Sequence, residues 1–416
     1  MLIFNIFEKM RCKFTKNPAN NKQKMKKKSF YAFISVIFTN FATRKAQNMQ
    51  LNHLNILNFK NIGEADLDFS ANVNCFVGKN GMGKTNLLDA VWYLSFCRCM
   101  TGLPDKENVL HGEQLFMLKG DYLLNGQPET IQCGLRIGSK KSFRRDGKEY
   151  RRLSDHIGLL PLVTLTPADN DLIRGGSEER RNFMDRVISQ FDKTYLNALI
   201  RYNEALAQRN ALLKQEPQSH DIDMYRPWEE QMDYYGQQLY AARKKFTEDF
   251  EPVFQEFYQE ISLGREKVSL HYTSHFERGS LLPLLDETRV RDWAVEYTTR
   301  GAHKDELEMR LGDYPMKQIG SQGQNKTFVV TLKLAQWDFL NRVGHTAPIL
   351  LLDDIFDRLD SDRVSQIVRL VASSRFGQIF ITDTNRENLD SIIASIDGSY
   401  KMFGVEDGHY TVIAER

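Results

Sequence analysis

Hydrophobic and polar positions along this chain change rhythm several times, and each change predicts an element. From Met49 the apolar residues Leu51, Leu54, Ile56, Leu57 and Phe59, then Leu67 and Phe69, predict two short strands flanking Lys60-Asn61-Ile62-Gly63. Residues 73–77 are an apolar strand-like run, beyond which Leu87, Leu88, Val91 and Trp92 recur at helical spacing. Alternation returns at 115–124 and 130–137 around Asn125-Gly126, and at 143–150 around Asp146-Gly147, so two hairpins are expected. After a compact apolar run at 159–165 the spacing turns helical over 178–213, marked by Phe183, Val187, Phe191 and Leu196. It is helical again over 228–261, where Tyr240, Phe246, Phe250, Phe254 and Phe257 form an aromatic stripe that reads as core. Pro217 marks a hinge at 216–220 between the two. Strand character resumes at 268–272, a helix follows over 328–340, and 349–354 is an apolar strand ending in two carboxylates. Helical periodicity over 364–371 and a buried strand at 378–382 complete the pattern. Its signature is an α/β fold with a mostly parallel, helix-covered sheet.

Composition changes this picture at one end only. The 416 residues are 41% hydrophobic and 26% charged, ordinary for a globular protein, with a formal net charge of +2. Residues 1–48, however, carry 11 basic residues and 1 acidic one, leaving 45 basic against 53 acidic beyond them. Global basicity therefore argues for no nucleic-acid partner, and any such site must be a local patch. The Lys26-Lys27-Lys28 run before the apolar stretch 30–41 imitates a signal peptide. The simpler reading is that 1–48 is a poorly ordered extension upstream of a start at Met49. Five cysteines without a CxxC pair point to a reducing, cytoplasmic setting and no zinc site. No run of about 18 apolar residues occurs, so neither a spanning helix nor a membrane partner is expected.

The chemistry concentrates in Gly78-Lys79-Asn80-Gly81-Met82-Gly83-Lys84-Thr85, which fits G-x-x-x-x-G-K-[ST] at every fixed position. Glycines let backbone N–H groups converge on phosphates, the Lys reaches the β/γ-phosphates and the Thr hydroxyl joins a Mg²⁺ shell. Lys60 and Asn61 are expected beside this loop. Asp353, ending its apolar strand, would bind the Mg²⁺, and Asp354 would polarise the attacking water. Because Asp353 lies about 270 residues beyond Lys84, the sheet must be assembled from both chain ends. Three parts follow: 49–165 with the phosphate loop, an inserted helical domain at 166–300, and 301–416 with the apolar strand that ends in Asp353-Asp354. Ser321-Gln322-Gly323-Gln324 supplies a hydroxyl, a close-approach glycine and a helix start, the composition of a third phosphate-contacting element. A cationic cluster, Lys140, Lys141, Arg144, Arg145, Lys148, Arg151 and Arg152, reads either as a solvated face or as a DNA-backbone contact.

Taken together, the start at 49–61, the phosphate loop, residues 167–185, 301–307, 320–324 and 350–360 resemble the RecF family, DNA replication and repair ATPases of the cassette/SMC class. The resemblance covers essentially everything from Met49 to the C-terminus. It implies a head of the ATP-binding-cassette type that dimerises around two ATP molecules. Each nucleotide would lie between one subunit's loop and the other's Ser321–Gln324 signature. Asp360 would then sit in the dimer-contacting loop, and Asp169 or Asn170 in a metal- and water-sensing loop. It further implies binding to gapped or single-strand/double-strand junction DNA, action with RecO and RecR, and help in loading RecA. The chain departs from the family pattern at Ala168, Ser177 and Asp357-Arg358, and Thr382-Asp383-Thr384 stands where a switch histidine is found in other cassette proteins, which implies slow hydrolysis. A cassette subunit of a membrane transporter is the alternative, although no Leu-Ser-Gly-Gly-Gln is present. A GTPase reading lacks an Asn-Lys-x-Asp element, and the helical stretches are too short for long coiled-coil arms.

Overall fold

The alternating stretch after Met49 folds as expected, into β1 (Met49–Phe59) and β2 (Ile62–Asp68), an antiparallel pair. The computed structural model describes residues 49–215, 221–344, 346–356, 361–372 and 375–416. The extension at 1–48, the hinge at 216–220 and the dimer-loop residue Asp360 lie outside the described residues.

Next come β3 (Val73–Val77), helix α1 (Lys84–Phe96), β4 (Leu115–Leu124), β5 (Gln127–Arg136), β6 (Ser142–Arg145), β7 (Lys148–Glu149) and β8 (Leu162–Leu165). The insert supplies α2 (Ser177–Phe191), α3 (Lys193–Leu213), α4 (Ile222–Ser262), β9 (Val268–Thr273) and α5 (Leu282–Val295). The chain then gives β10 (Glu306–Leu311), β11 (Tyr314–Pro315), α6 (Gln322–Val343), β12 (Ile349–Asp353), α7 (Ser361–Ala372), β13 (Ile379–Asp383), α8 (Arg386–Ala394), β14 (Tyr400–Glu406) and β15 (His409–Glu415).

Two six-stranded sheets dominate. One, ordered β15-β14-β3-β13-β12-β8, is parallel except for its β14–β15 edge hairpin, as expected. The other, ordered β2-β1-β4-β5-β6-β7, is antiparallel throughout, so the parallel character expected of the whole holds for one sheet only. Short hairpin turns dictate this, because Asn125 (φ 57) with Gly126 (φ 78) and Asp146 (φ 48) with Gly147 (φ 76) adopt the left-handed pairs that match strand twist.

Helix α1 lies between the sheets. Nearly every residue from Leu87 to Phe96 is buried, which explains why its apolar positions show little one-sidedness. The β12 and β13 side chains divide by parity: Ile349, Leu351 and Phe380 face α1 and the antiparallel sheet, while Leu350, Leu352, Ile379 and Ile381 face the helices. The second core runs without a break into the insert, where Phe246, Phe250, Phe254 and Phe257 of α4 are all buried. Phe254 meets Phe328 of α6 at 4.8 Å between ring centroids. The aromatic stripe is therefore core, and it packs the insert onto α6. Among the described residues no helix is long and apolar enough to cross a membrane.

Candidate functional site

Strand β3 delivers the glycine loop to the carboxyl end of the parallel sheet. A Cβ on Gly78 would lie 2.3 Å from the Val405 carbonyl oxygen of β14, so only glycine lets the loop pass that strand. Gly83 caps α1 at φ 111, a left-handed conformation costly for side-chain-bearing residues. No side chain caps this helix and its first turn holds no acidic residue, so its leading N–H groups and positive dipole end suit an anion. The Lys84 ammonium is buried and donates to the carbonyls of Gly78 (2.7 Å) and Lys79 (3.0 Å).

The two chain ends meet at Thr85 and Asp353. The Thr85 hydroxyl donates to Asp353 Oδ2 at 2.8 Å, and the Thr382 hydroxyl of β13 to Asp353 Oδ1 at 2.5 Å. A hydroxyl and a carboxylate are hard oxygen donors, the set that Mg²⁺ accepts beside phosphate oxygens. Asp354 takes a left-handed turn (φ 46), its N–H donating to the Thr382 hydroxyl at 3.2 Å. Burial and then the adjacent Asp353 charge push its carboxyl above the ordinary range, against the pull of Lys84. A carboxylate so raised is a better proton acceptor than an ordinary one.

Asp354 opens onto a cleft of about 650 Å³ lined also by Asn80, Asn170, Lys326, Asp383, Thr384, Asn385 and Asn388. Asn170 is thus at the cleft, whereas Asp169 turns away. Its carboxylate accepts from the Thr166 N–H (2.8 Å) and pairs with buried Lys333 (2.7 Å). Lys60 is likewise engaged elsewhere: its ammonium pairs with the buried Asp89 carboxylate of α1. Asn61 does reach the loop, donating to the Gly81 carbonyl at 3.2 Å and accepting from Asn86 at 2.7 Å.

None of Ser321 to Gln324 lines this cleft. Ser321 and Gln324 form a reciprocal cap, with Gln324 N–H to Ser321 Oγ at 3.2 Å and Ser321 N–H to Gln324 Oε1 at 2.9 Å. Ser321 and Gln322 are exposed. The cationic cluster divides. Arg145 makes a two-pronged bond to Glu129 (2.7 and 2.5 Å) and Lys141 pairs with Asp105 (2.8 Å), whereas Lys140, Arg144, Lys148, Arg151 and Arg152 are exposed.

Sequence reasoning passed over the C-terminal hairpin. The Tyr410 hydroxyl donates to the Gly83 carbonyl (3.0 Å) and the Gly408 N–H to the Met82 carbonyl (2.9 Å), bracing the loop from outside. The signal was there, since Asp407-Gly408 has the same turn composition as the two recognised hairpins. Lys326, one turn into α6, was missed as well. Its ammonium lies 3.5 Å from the Asp354 carbonyl oxygen.

Comparison with known proteins adds independent findings. The family model described as the RecF/RecN/SMC N terminal domain matches residues 50–411. A DNA replication and repair protein RecF of Bacteroides fragilis is 56% identical over 369 residues, covering 88% of this chain and 100% of that protein. The RecF of Porphyromonas gingivalis is 51% identical over 362 residues, covering 86% and 99%. Among solved structures, the recombination mediator protein RecF with ATPrS, of the RecFOR pathway, superposes with a TM-score of 0.80 at 27% identity, covering 89% of this chain and 100% of that one. An Smc head domain from Pyrococcus furiosus shares the fold, with a TM-score of 0.53 at 17% identity over 88% of this chain and 96% of its own. These matches do not favour a transporter subunit.

Proposed function

The chain belongs to the RecF family of DNA replication and repair proteins, and from that membership we propose that it is an ATP-dependent DNA-binding protein acting as a nucleotide-gated dimeric clamp. The observation that carries this reading is the hydrogen bond between Thr85 and Asp353, which joins loop and acidic strand across the whole chain. The solved relatives with ATP and ATPrS support ATP as the nucleotide.

In this reading residues 78–85, helped by Asn61, hold the phosphates, with Lys84 released from the Gly78 and Lys79 carbonyls to the β/γ-phosphates. Thr85 and Asp353 hold Mg²⁺, which neutralises phosphate charge when bound. Asp354 accepts the proton of the attacking water, while Lys326 offsets charge at the cleft mouth. Asn170, rather than Asp169, faces the water-sensing position. The Ser321–Gln324 element, exposed at Ser321 and Gln322, and Asp360 serve the partner subunit's nucleotide, so one chain offers half of each site. Thr382-Asp383-Thr384 offers no imidazole, which suits slow turnover and a switch rather than a motor. DNA is held through Arg144, Arg151 and Arg152, at gapped or junction sites, with RecR and RecO as partners in loading RecA in the cytoplasm.

Sedimentation with and without ATP, comparing wild type with Lys84→Met, tests the clamp. ATP should dimerise the wild type and leave the variant monomeric. A wild type that stays monomeric at saturating ATP would sink it. Retention of gapped DNA only with ATP is the matching functional readout.

A further inference from the structure

The side chain of Gln324 is held at both ends. Its Oε1 accepts the Ser321 N–H, and its Nε2 donates to Glu266 Oε1 at 2.9 Å. Glu266 lies between α4 and β9, with its side chain only 17% exposed. Its other oxygen, Oε2, accepts from the Tyr258 hydroxyl at 2.5 Å, and Tyr258 is itself fully buried against Phe254 and Phe328. The Arg363 guanidinium of α7 is 3.7 Å from the same carboxylate and donates to the Thr327 hydroxyl at 2.7 Å. The Thr327 hydroxyl in turn donates to the Gly323 carbonyl at 2.8 Å. One carboxylate therefore gathers the insert, the first turn of α6 and the helix that follows residues 357–360.

The chemistry of that carboxylate matters. An ionised carboxylate accepts and cannot donate, so it admits only the amide nitrogen of Gln324. The amide oxygen is thereby turned to the Ser321 N–H, which completes the cap and fixes the Ser321 hydroxyl. We propose that Glu266 is a positioning residue for the signature: it selects the amide orientation of Gln324 and ties that element to the insert and to α7, setting the half-site offered to a second copy of this chain. This rests on the proposed action of Ser321–Gln324 on the partner's nucleotide.

The test compares full-length Glu266→Ala, Glu266→Gln and Ser321→Arg for ATP-driven dimerisation by sedimentation and for binding of a fluorescent ATP analogue to the monomer. Losing a hydrogen bond to a charged group should weaken Glu266→Ala dimerisation about tenfold or more. Monomer nucleotide binding should stay at the wild-type level. Glu266→Gln, which can offer either an oxygen or an N–H, should fall between. Glu266→Ala should add nothing to Gln324→Ala. Normal dimerisation in Glu266→Ala, while Ser321→Arg abolishes it, would overturn this inference and leave the clamp standing. Normal dimerisation in Ser321→Arg would overturn the clamp's trans signature and this inference with it. Equal losses in monomer binding and dimerisation would mark Glu266 as general structural support and overturn the positioning role. If Glu266→Ala does not fold, Glu266→Gln decides by the same outcomes.

Discussion

In the helical insert, fully buried Arg209 meets Glu229 at 3.0 Å and Asp292 at 2.8 Å, and Arg289 reaches the same Glu229 at 2.8 Å. Nearby, buried Arg243 binds Asp185 (2.8 Å) and Asp305 (2.7 Å). At the cleft, Asp353 and Asp383 end adjacent strands, Asp354 follows Asp353 in a left-handed turn, and the ammonium of Lys84 is turned to backbone carbonyls. Buried charge in the insert is paired with charge of opposite sign; in the cleft, carboxylates crowd together and stand half open. Matched charge holds a fold, whereas unmatched charge at a strand end is available to a ligand.

That contrast breaks most sharply at Asp354 and Arg243. Asp354→Asn should slow single-turnover ATP hydrolysis by about 10²–10⁴-fold while thermal melting shows no loss of stability. A melting temperature that falls with the rate would make Asp354 structural. Arg243→Met should do the reverse. Leaving Asp185 and Asp305 buried and unpaired should cost about 3–5 kcal/mol in urea unfolding. A near-neutral result would mean that the matched network is dispensable.

Lys60 sits on the border between the two kinds of charge. Its pairing with Asp89 belongs to the matched class, although its position beside Asn61 suggested a phosphate contact. If it is structural, Lys60→Met should cost about 1–3 kcal/mol of stability, because buried Asp89 loses its partner, and nucleotide affinity should hold in the folded variant. Lower affinity with unchanged stability would move Lys60 into the cleft.

Titration sharpens the same comparison. Asp354 has a raised carboxyl, so its contribution to stability is present at acid pH and lost as pH rises through that raised value. Asp354→Asn should therefore melt higher than wild type near neutral pH, and the gap should close on acidification. Glu306 is the opposite case: against burial, which raises it, the two-pronged Arg180 bond (2.6 and 2.8 Å) holds its carboxyl below the ordinary range. Its contribution is present at neutral pH and lost as pH falls, so Arg180→Met should lose most stability near neutrality and little in acid. Parallel pH profiles for the two variants would erase the distinction.

The same difference governs what could be read from the sequence. The loop, the acidic strand and the hairpins at Asn125-Gly126 and Asp146-Gly147 were legible, because glycine turns and unbroken apolar strands are local signals. Helix α5 was not, since its buried positions are Leu285, Arg289 and Asp292, and charge facing inward erases helical hydrophobic periodicity. Lys60 and Asp169 were expected at the nucleotide because spacing shows nearness to a motif but not which carboxylate or ammonium a side chain turns to. Glu266 was invisible for the same reason, as its partners Tyr258, Gln324 and Arg363 come from three separate elements.

The cationic cluster gives the smallest effect and repeats the contrast at the surface. Arg145 is matched to Glu129, while Arg144, Arg151 and Arg152 are exposed. If the exposed three touch DNA phosphates, each Arg→Ser change should lower the dependence of log affinity on log salt by about 0.7–0.9, with melting unchanged. Arg145→Ser should leave that slope alone, because its guanidinium is already committed to a carboxylate. A salt slope untouched by all three exposed changes would make the cluster a solvated face and shift the search for the DNA surface elsewhere on the head.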